Sequence, residues 1–120
     1  MMTSQIADRL VELCRKGQFE AAQTELFAQD AVSIEPDGSQ MELADGLAAI
    51  QEKGRQFMAS VEDMHGIVIS EPVVAANFFT VSMALDTTFK GRGRVNMEEI
   101  CVYEVDDGKI VSEQFFYNVD

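Results

Sequence analysis

Four groups of residues in this 120-residue chain could do chemistry. The first is Glu35-Pro36. A carboxylate at a strand end, fixed by the Pro after it and facing a cavity, loses hydration of its charged form. Its pKa then rises toward the range of a general base. The second is Glu98-Glu99. Successive strand residues point to opposite faces, so only one of the two faces inward. Glu99 shares a face with Cys101, Tyr103 and Val105, whereas Glu98 shares one with Ile100, Val102 and Glu104. The first face is the better interior, so Glu99 is the expected inward acid. The third is His65, whose side chain titrates near neutrality when unperturbed. The fourth is a set of polar tips, Tyr103, Gln114 and Tyr117, that could orient a bound oxygen. Met83, Phe57 and Cys101 supply the apolar wall of the same expected pocket. Each group also has a plain structural reading: a solvated strand-end acid, a surface or capping His, and wall packing.

The rest of the chain narrows the chemistry by exclusion. One His and no paired Cys give no metal-ligand spacing, so neither metal nor cofactor is expected. Nucleophile elbow, phosphate loop and dinucleotide fingerprint are absent from the sequence. What remains is cofactor-free acid–base chemistry, or binding without chemistry. Twenty-one acids against nine bases give a net charge of −12, which repels phosphate backbones and anionic headgroups. Nucleic acid and membrane are therefore not expected partners. Cys14 and Cys101 sit in apolar patterns and read as buried reduced thiols. With no leader pattern in Met1–Gln5, this places the chain in the cytoplasm.

The elements that must position these residues form one domain over residues 1–120. Thr3 and Ser4 are helix-capping types, and Ile6, Leu10, Leu13 and Cys14 then mark one helical face that Lys16-Gly17 closes. A second helix is expected from about Gln18 to Gln29, with Phe19, Ala22 and Leu26 on its face. Val32 and Ile34 alternate with Ser33 and Glu35 in a short strand that Pro36-Asp37-Gly38 stops. Residues 39–44 read as a loop or a short edge strand. Asp45-Gly46 opens a third helix to about Ser60, with Leu47, Ile50, Phe57, Met58 and Val61 buried. Gly54 inside it predicts close packing on the sheet. Met41, Met58, Met64, Met83 and Met97 are most simply core. From His65 onward the pattern is β: a strand over Gly66–Glu71, a long strand over Val73–Phe89, and a final hairpin about Asp106-Asp107-Gly108-Lys109. Helices followed by strands joined by short turns make an α+β fold with helices on one face of an antiparallel sheet.

Several stretches together carry a family resemblance. Phe19-Glu20-Ala21-Ala22 with Leu26-Phe27-Ala28-Gln29-Asp30-Ala31-Val32 resembles the approach to the first strand in the nuclear transport factor 2-like superfamily. Asp45-Gly46-Leu47-Ala48-Ala49-Ile50 resembles the opening of its third helix. Tyr103-Glu104-Val105-Asp106-Asp107-Gly108-Lys109-Ile110 resembles its last hairpin. The nearest branch is the SnoaL-like proteins. The resemblance implies a cone: a strongly curved antiparallel or mixed sheet wrapped around three N-terminal helices, with an internal pocket and dimerisation through the outer sheet face. It also implies a role for Glu35-Pro36, because ketosteroid isomerases of this superfamily place their base carboxylate directly before a Pro there. Their oxyanion hole uses a protonated acid, near Glu99 to Cys101 in this chain, and a Tyr on the first helix. This chain has no Tyr there, so steroid isomerisation is not implied.

Three functions follow. One is a cofactor-independent isomerase, cyclase or hydratase acting on a small, largely apolar carbonyl compound, with Glu35 as base and Glu99, Tyr103 or His65 polarising an oxygen. Another is a non-catalytic homodimer that binds a small apolar molecule. The last is a dimeric interaction module whose outer sheet face carries the function.

Overall fold

Apolar periodicity changes from helical to alternating along the chain, and the elements follow it. The computed structural model describes residues 1–39 and 42–119. Among these residues three helices, α1 (Thr3–Arg15), α2 (Phe19–Leu26) and α3 (Leu47–Ser60), combine with seven strands. These are β1 (Phe27–Ile34), β2 (Leu43–Asp45), β3 (Val61–Ile69), β4 (Val73–Ala75), β5 (Phe78–Phe89), β6 (Gly93–Asp106) and β7 (Lys109–Phe116). The sheet runs β2-β1-β7-β6-β5-β3, with β4 added beside β5. Among the described residues only the β1–β7 pair is parallel; the others are antiparallel. The sheet is therefore mixed and unclosed, with α1 resting on β3 and β5 and α3 on β1 and β2.

One face of each long strand builds the core. Phe79, Val81, Met83, Leu85, Thr87 and Phe89 of β5 are buried, as are Cys101, Tyr103 and Val105 of β6. Phe79 and Tyr103 stack with ring centroids 4.7 Å apart, and α1 closes over this layer with Ile6, Leu10 and Leu13. Burial of this size is the main stabilising contribution in a domain of this length. Neighbouring Phe78 and Phe79 are 46% and 1% exposed, which fixes the register: a slip by one residue would exchange the faces.

The final hairpin turns through Asp107 and Gly108, both with positive φ (50° and 75°), as a two-residue type I′ turn requires. A bulge follows it. Val105 pairs Ile110, but Glu104 pairs Ser112, so one extra residue, Val111, sits on β7. That extra residue shifts the alternation by one. Ile110, Glu113 and Phe115 then face the helices, and Ser112, Gln114 and Phe116 face away.

Several expectations are corrected. Helix α1 is capped by Met2, whose N–H donates to Gln5 Oε1 at 2.8 Å, and not by Thr3 or Ser4. Helix α2 ends at Leu26, because Phe27 is drawn into the core opposite Ile110 and starts β1. Strand β3 begins at Val61, immediately after α3. The stretch Val73–Phe89 is not one strand but a hairpin, turned at Ala76-Asn77 with Ala76 at φ 55°. The Asn77 carbonyl accepts the Val105 N–H at 2.8 Å, so β6 holds that turn. Gly54 does not mark a close approach: a Cβ there would meet nothing within 4 Å. Met58 is exposed rather than buried. Met41 lies outside the described residues.

Candidate functional site

The site begins with a lysine in an apolar stripe. Leu47, Ile50 and Phe57 lie on the face of α3 that packs toward the core, and Lys53 stands between Ile50 and Phe57 at spacings of three and four. Helical geometry therefore aims its stem at the sheet. Its ammonium donates to Ser33 Oγ at 2.6 Å and to Glu35 Oε2 at 2.9 Å. Glu35 follows β1, and its N–H is fixed by the Glu42 carbonyl at 2.8 Å. Its other oxygen, Oε1, accepts the Tyr117 hydroxyl at 2.6 Å. The Glu35 and Lys53 side chains are 15% and 20% exposed, so the pair is screened from water without being sealed off. The Phe115 ring lies 5.3 Å from the Lys53 nitrogen, at cation–π distance.

Two further carboxyls face this pair. The parallel β1–β7 register sets Ser33 opposite Glu113, and Glu113 is only 5% exposed. Burial pushes its carboxyl up to about 7, against the Ser33 hydrogen bond and the Lys53 charge. Glu99 enters from β6. Burial is again the largest cause, followed by repulsion from Glu35, and its carboxyl is also pushed up to about 7. Cys101 Sγ lies 3.7 Å from Glu99 Oε1, and burial raises that thiol far above its ordinary range. The Tyr117 phenol is likewise raised, first by burial and then by its bond to Glu35. One ammonium thus stands among three carboxyls, two of which change charge near neutral pH.

The structure brings together Glu35, Glu99, Tyr117 and Cys101. Met83 lies beside them as the cross-strand partner of Glu99. Phe57 sits one turn beyond Lys53, edge-on to Phe89 at 5.7 Å. Tyr103 is packed flat on Phe79 and pairs across the strands with Glu113; its buried phenol, raised first by burial, also feels Cys101 and Glu113. Two expectations fail on geometry. Gln114 points to the outer face, because the β7 bulge sets Glu113 and Phe115 inward and Gln114 pairs with outward Val102. His65 stands apart on β3, with Nε2 2.7 Å from Thr88 Oγ1 and Nδ1 3.7 Å from Asp63. Sequence reasoning missed Lys53, Ser33, Glu113 and Phe115. A charged residue at a core spacing on the third helix was the available signal for Lys53; nothing local marks the bulge that turns Glu113 inward. Among the described residues, no group of three His, Cys, Asp or Glu side chains is arranged to hold a metal ion.

Such a group can take a proton, give one, and hold an oxygen, which is the equipment of general acid–base chemistry. It also makes stability depend on pH. Glu99 and Glu113 are raised above their unfolded values, so between about 4.5 and about 7 the native state binds more protons than the unfolded state. Stability from these two groups is therefore full below that window, falls as pH rises through it, and levels off above. Glu113→Gln removes one group from this balance. Urea unfolding should show the variant about 1–3 kcal/mol more stable than wild type at pH 8, with the gap closing toward pH 4. A variant equally destabilised at both pH values would show that Glu113 is not held neutral in the fold.

The comparisons with known proteins agree with this architecture. A crystal structure from Mesorhizobium loti, of a protein provisionally assigned as a SnoaL-like polyketide cyclase, is 30% identical with a TM-score of 0.92. That match covers 98% of this chain and 100% of the other. TerC, co-crystallised with polyporic acid, is 15% identical with a TM-score of 0.77, covering 98% and 92%. A Catenulispora acidiphila protein with a ketosteroid isomerase-like fold, in complex with trimethylamine, is 18% identical with a TM-score of 0.75, covering 95% and 85%. These last two show the fold alone. No curated protein matches the chain. Residues 1–117 match the SnoaL-like domain family, and the chain belongs to that family.

Proposed function

We propose that this protein is a cofactor-independent acid–base enzyme, an isomerase, cyclase or hydratase, acting on a small, largely apolar carbonyl compound. Glu35 is the general base. The observation that carries this reading is the seating of Glu35: one oxygen holds the Tyr117 hydroxyl and the other the Lys53 ammonium. A base fixed on both oxygens loses little orientational freedom when it acts. Glu99, neutral below about 7, is a second acid beside it. Phe57, Phe115 and Met83 supply apolar wall around them. Two proteins of the same fold were crystallised, one with polyporic acid and one in complex with trimethylamine, which supports a small-molecule ligand. Two buried free cysteines fit a reducing compartment, and we place the protein in the cytoplasm.

The outer sheet face fits a second copy of the chain. Val68, Ile100 and Phe116 are exposed there and line a groove of about 390 Å³ that also reaches Glu99 and Tyr117 of the candidate site. Apolar side chains gathered on one face are costly to leave in water.

Two outcomes test these readings. Glu35→Gln should lower α-proton exchange of small ketones in D₂O, followed by NMR, by about 10²–10⁴-fold. Exchange at the wild-type rate would remove Glu35 as base. In sedimentation the wild type should run as a dimer and Ile100→Lys as a monomer; a monomeric wild type would remove the interface.

A further inference from the structure

The geometry points to Lys53 as the electrophile of this site: its ammonium takes the oxygen of an enolisable carbonyl compound while Glu35 removes the α-proton. This rests on the acid–base reading above and adds to it the group that meets the charge once the proton has moved.

The donors within the site leave few alternatives. The Tyr117 hydroxyl has one proton, and it is already given to Glu35 Oε1. The Ser33 hydroxyl accepts from Lys53 and hydrogen-bonds Glu113. Lys53 has three N–H donors, and among the described residues two are used, on Ser33 and Glu35. The third has no acceptor among the described residues, and the Phe115 ring, 5.3 Å from the ammonium, offers none of ordinary strength. A carbonyl oxygen seated there would meet a full positive charge in a partly dry setting, where such a contact is worth more than in water.

The charge balance of the step also favours this arrangement. The α C–H bond breaks and its proton goes to Glu35. The C–H electron pair becomes the C=C bond, and the carbonyl π pair moves onto oxygen. One negative charge thereby passes from Glu35 to the substrate oxygen, and Lys53 stays protonated throughout. The ammonium pairs with Glu35 before the step and with the enolate oxygen after it, so no charge is left without a partner. Return of that proton from Glu35 to another carbon completes an isomerisation; alternatively the enolate carbon bonds to a second carbonyl carbon, whose π pair moves onto its oxygen and takes the proton from Glu35, closing a ring.

A structural role alone explains the lysine poorly. The stripe formed by Leu47, Ile50 and Phe57 would accept an apolar side chain at position 53. Replacing a buried ion pair with apolar groups is often neutral or stabilising.

A phenolate carries the negative oxygen of an enolate on a flat apolar frame, so 4-nitrophenol is a direct probe, and its absorbance reports ionisation. Glu35→Gln mimics the protonated base and frees Lys53 from its carboxylate. This variant should bind the phenolate form about tenfold or more tighter than wild type. Adding Lys53→Met should abolish that gain, and adding Lys53→Arg should keep it to within about threefold. Circular dichroism should show Lys53→Met folded. If Glu35→Gln binds no tighter than wild type, or binds equally well with and without Lys53→Met, Lys53 does not meet the oxygen. Loss of the Lys53 effect with exchange activity still dependent on Glu35 would overturn this inference and leave the base assignment standing.

Discussion

A single ammonium among three carboxyls sets the terms for the rest of the site. Without Lys53, Glu35 would stand beside Glu99 and Glu113 with no opposite charge, and the three could not all ionise in so small a volume. With it, one carboxylate is paired and the other two are left near the point where they exchange protons at neutral pH. The same ammonium also explains why the site is not fully buried. A sealed ion pair bears a large desolvation cost, whereas a pair with about a sixth of its surface in water keeps part of its hydration and remains within reach of a ligand.

The fold supplies this arrangement through two features that are otherwise inconspicuous. The parallel contact between β1 and β7 brings Ser33 beside Glu113 across 80 residues of sequence. The bulge at Val111 then decides which side chains of β7 see the helices. A regular strand from Ile110 would have turned Ser112, Gln114 and Phe116 inward, and the site would hold an amide where it now holds a carboxyl. Helix α3 contributes the remaining member because its apolar stripe is interrupted by one long cationic side chain. The stem packs beside Ile50 and Phe57 while the ammonium reaches Glu35.

Much of this was legible in the sequence, and the failures are informative. The hairpin about Asp107-Gly108 was readable because its turn chemistry is local. The inward face of β6 was readable because alternation holds along its whole length, which places Glu99 and Cys101 correctly. Glu35 was marked by its Pro. Gln114 is a polar tip by residue type, but the β7 bulge sets it on the outer face opposite Val102, and nothing local signals that bulge. His65 is a candidate by residue type alone, and its ring bonds Thr88 and faces Asp63 instead. Lys53 was overlooked because charged residues on a helix are ordinarily solvated. Its spacing within the Leu47–Ile50–Phe57 stripe carried more information than its residue type.

The most direct test is a crystal structure of Glu35→Gln grown with 4-nitrophenol. The phenolate oxygen is expected within about 3 Å of Lys53 Nζ, with its ring against Phe115 and beside residue 35. Density for the molecule only in the outer groove against Ile100 and Phe116, with Lys53 still bonded to Ser33 and residue 35, would contradict this placement.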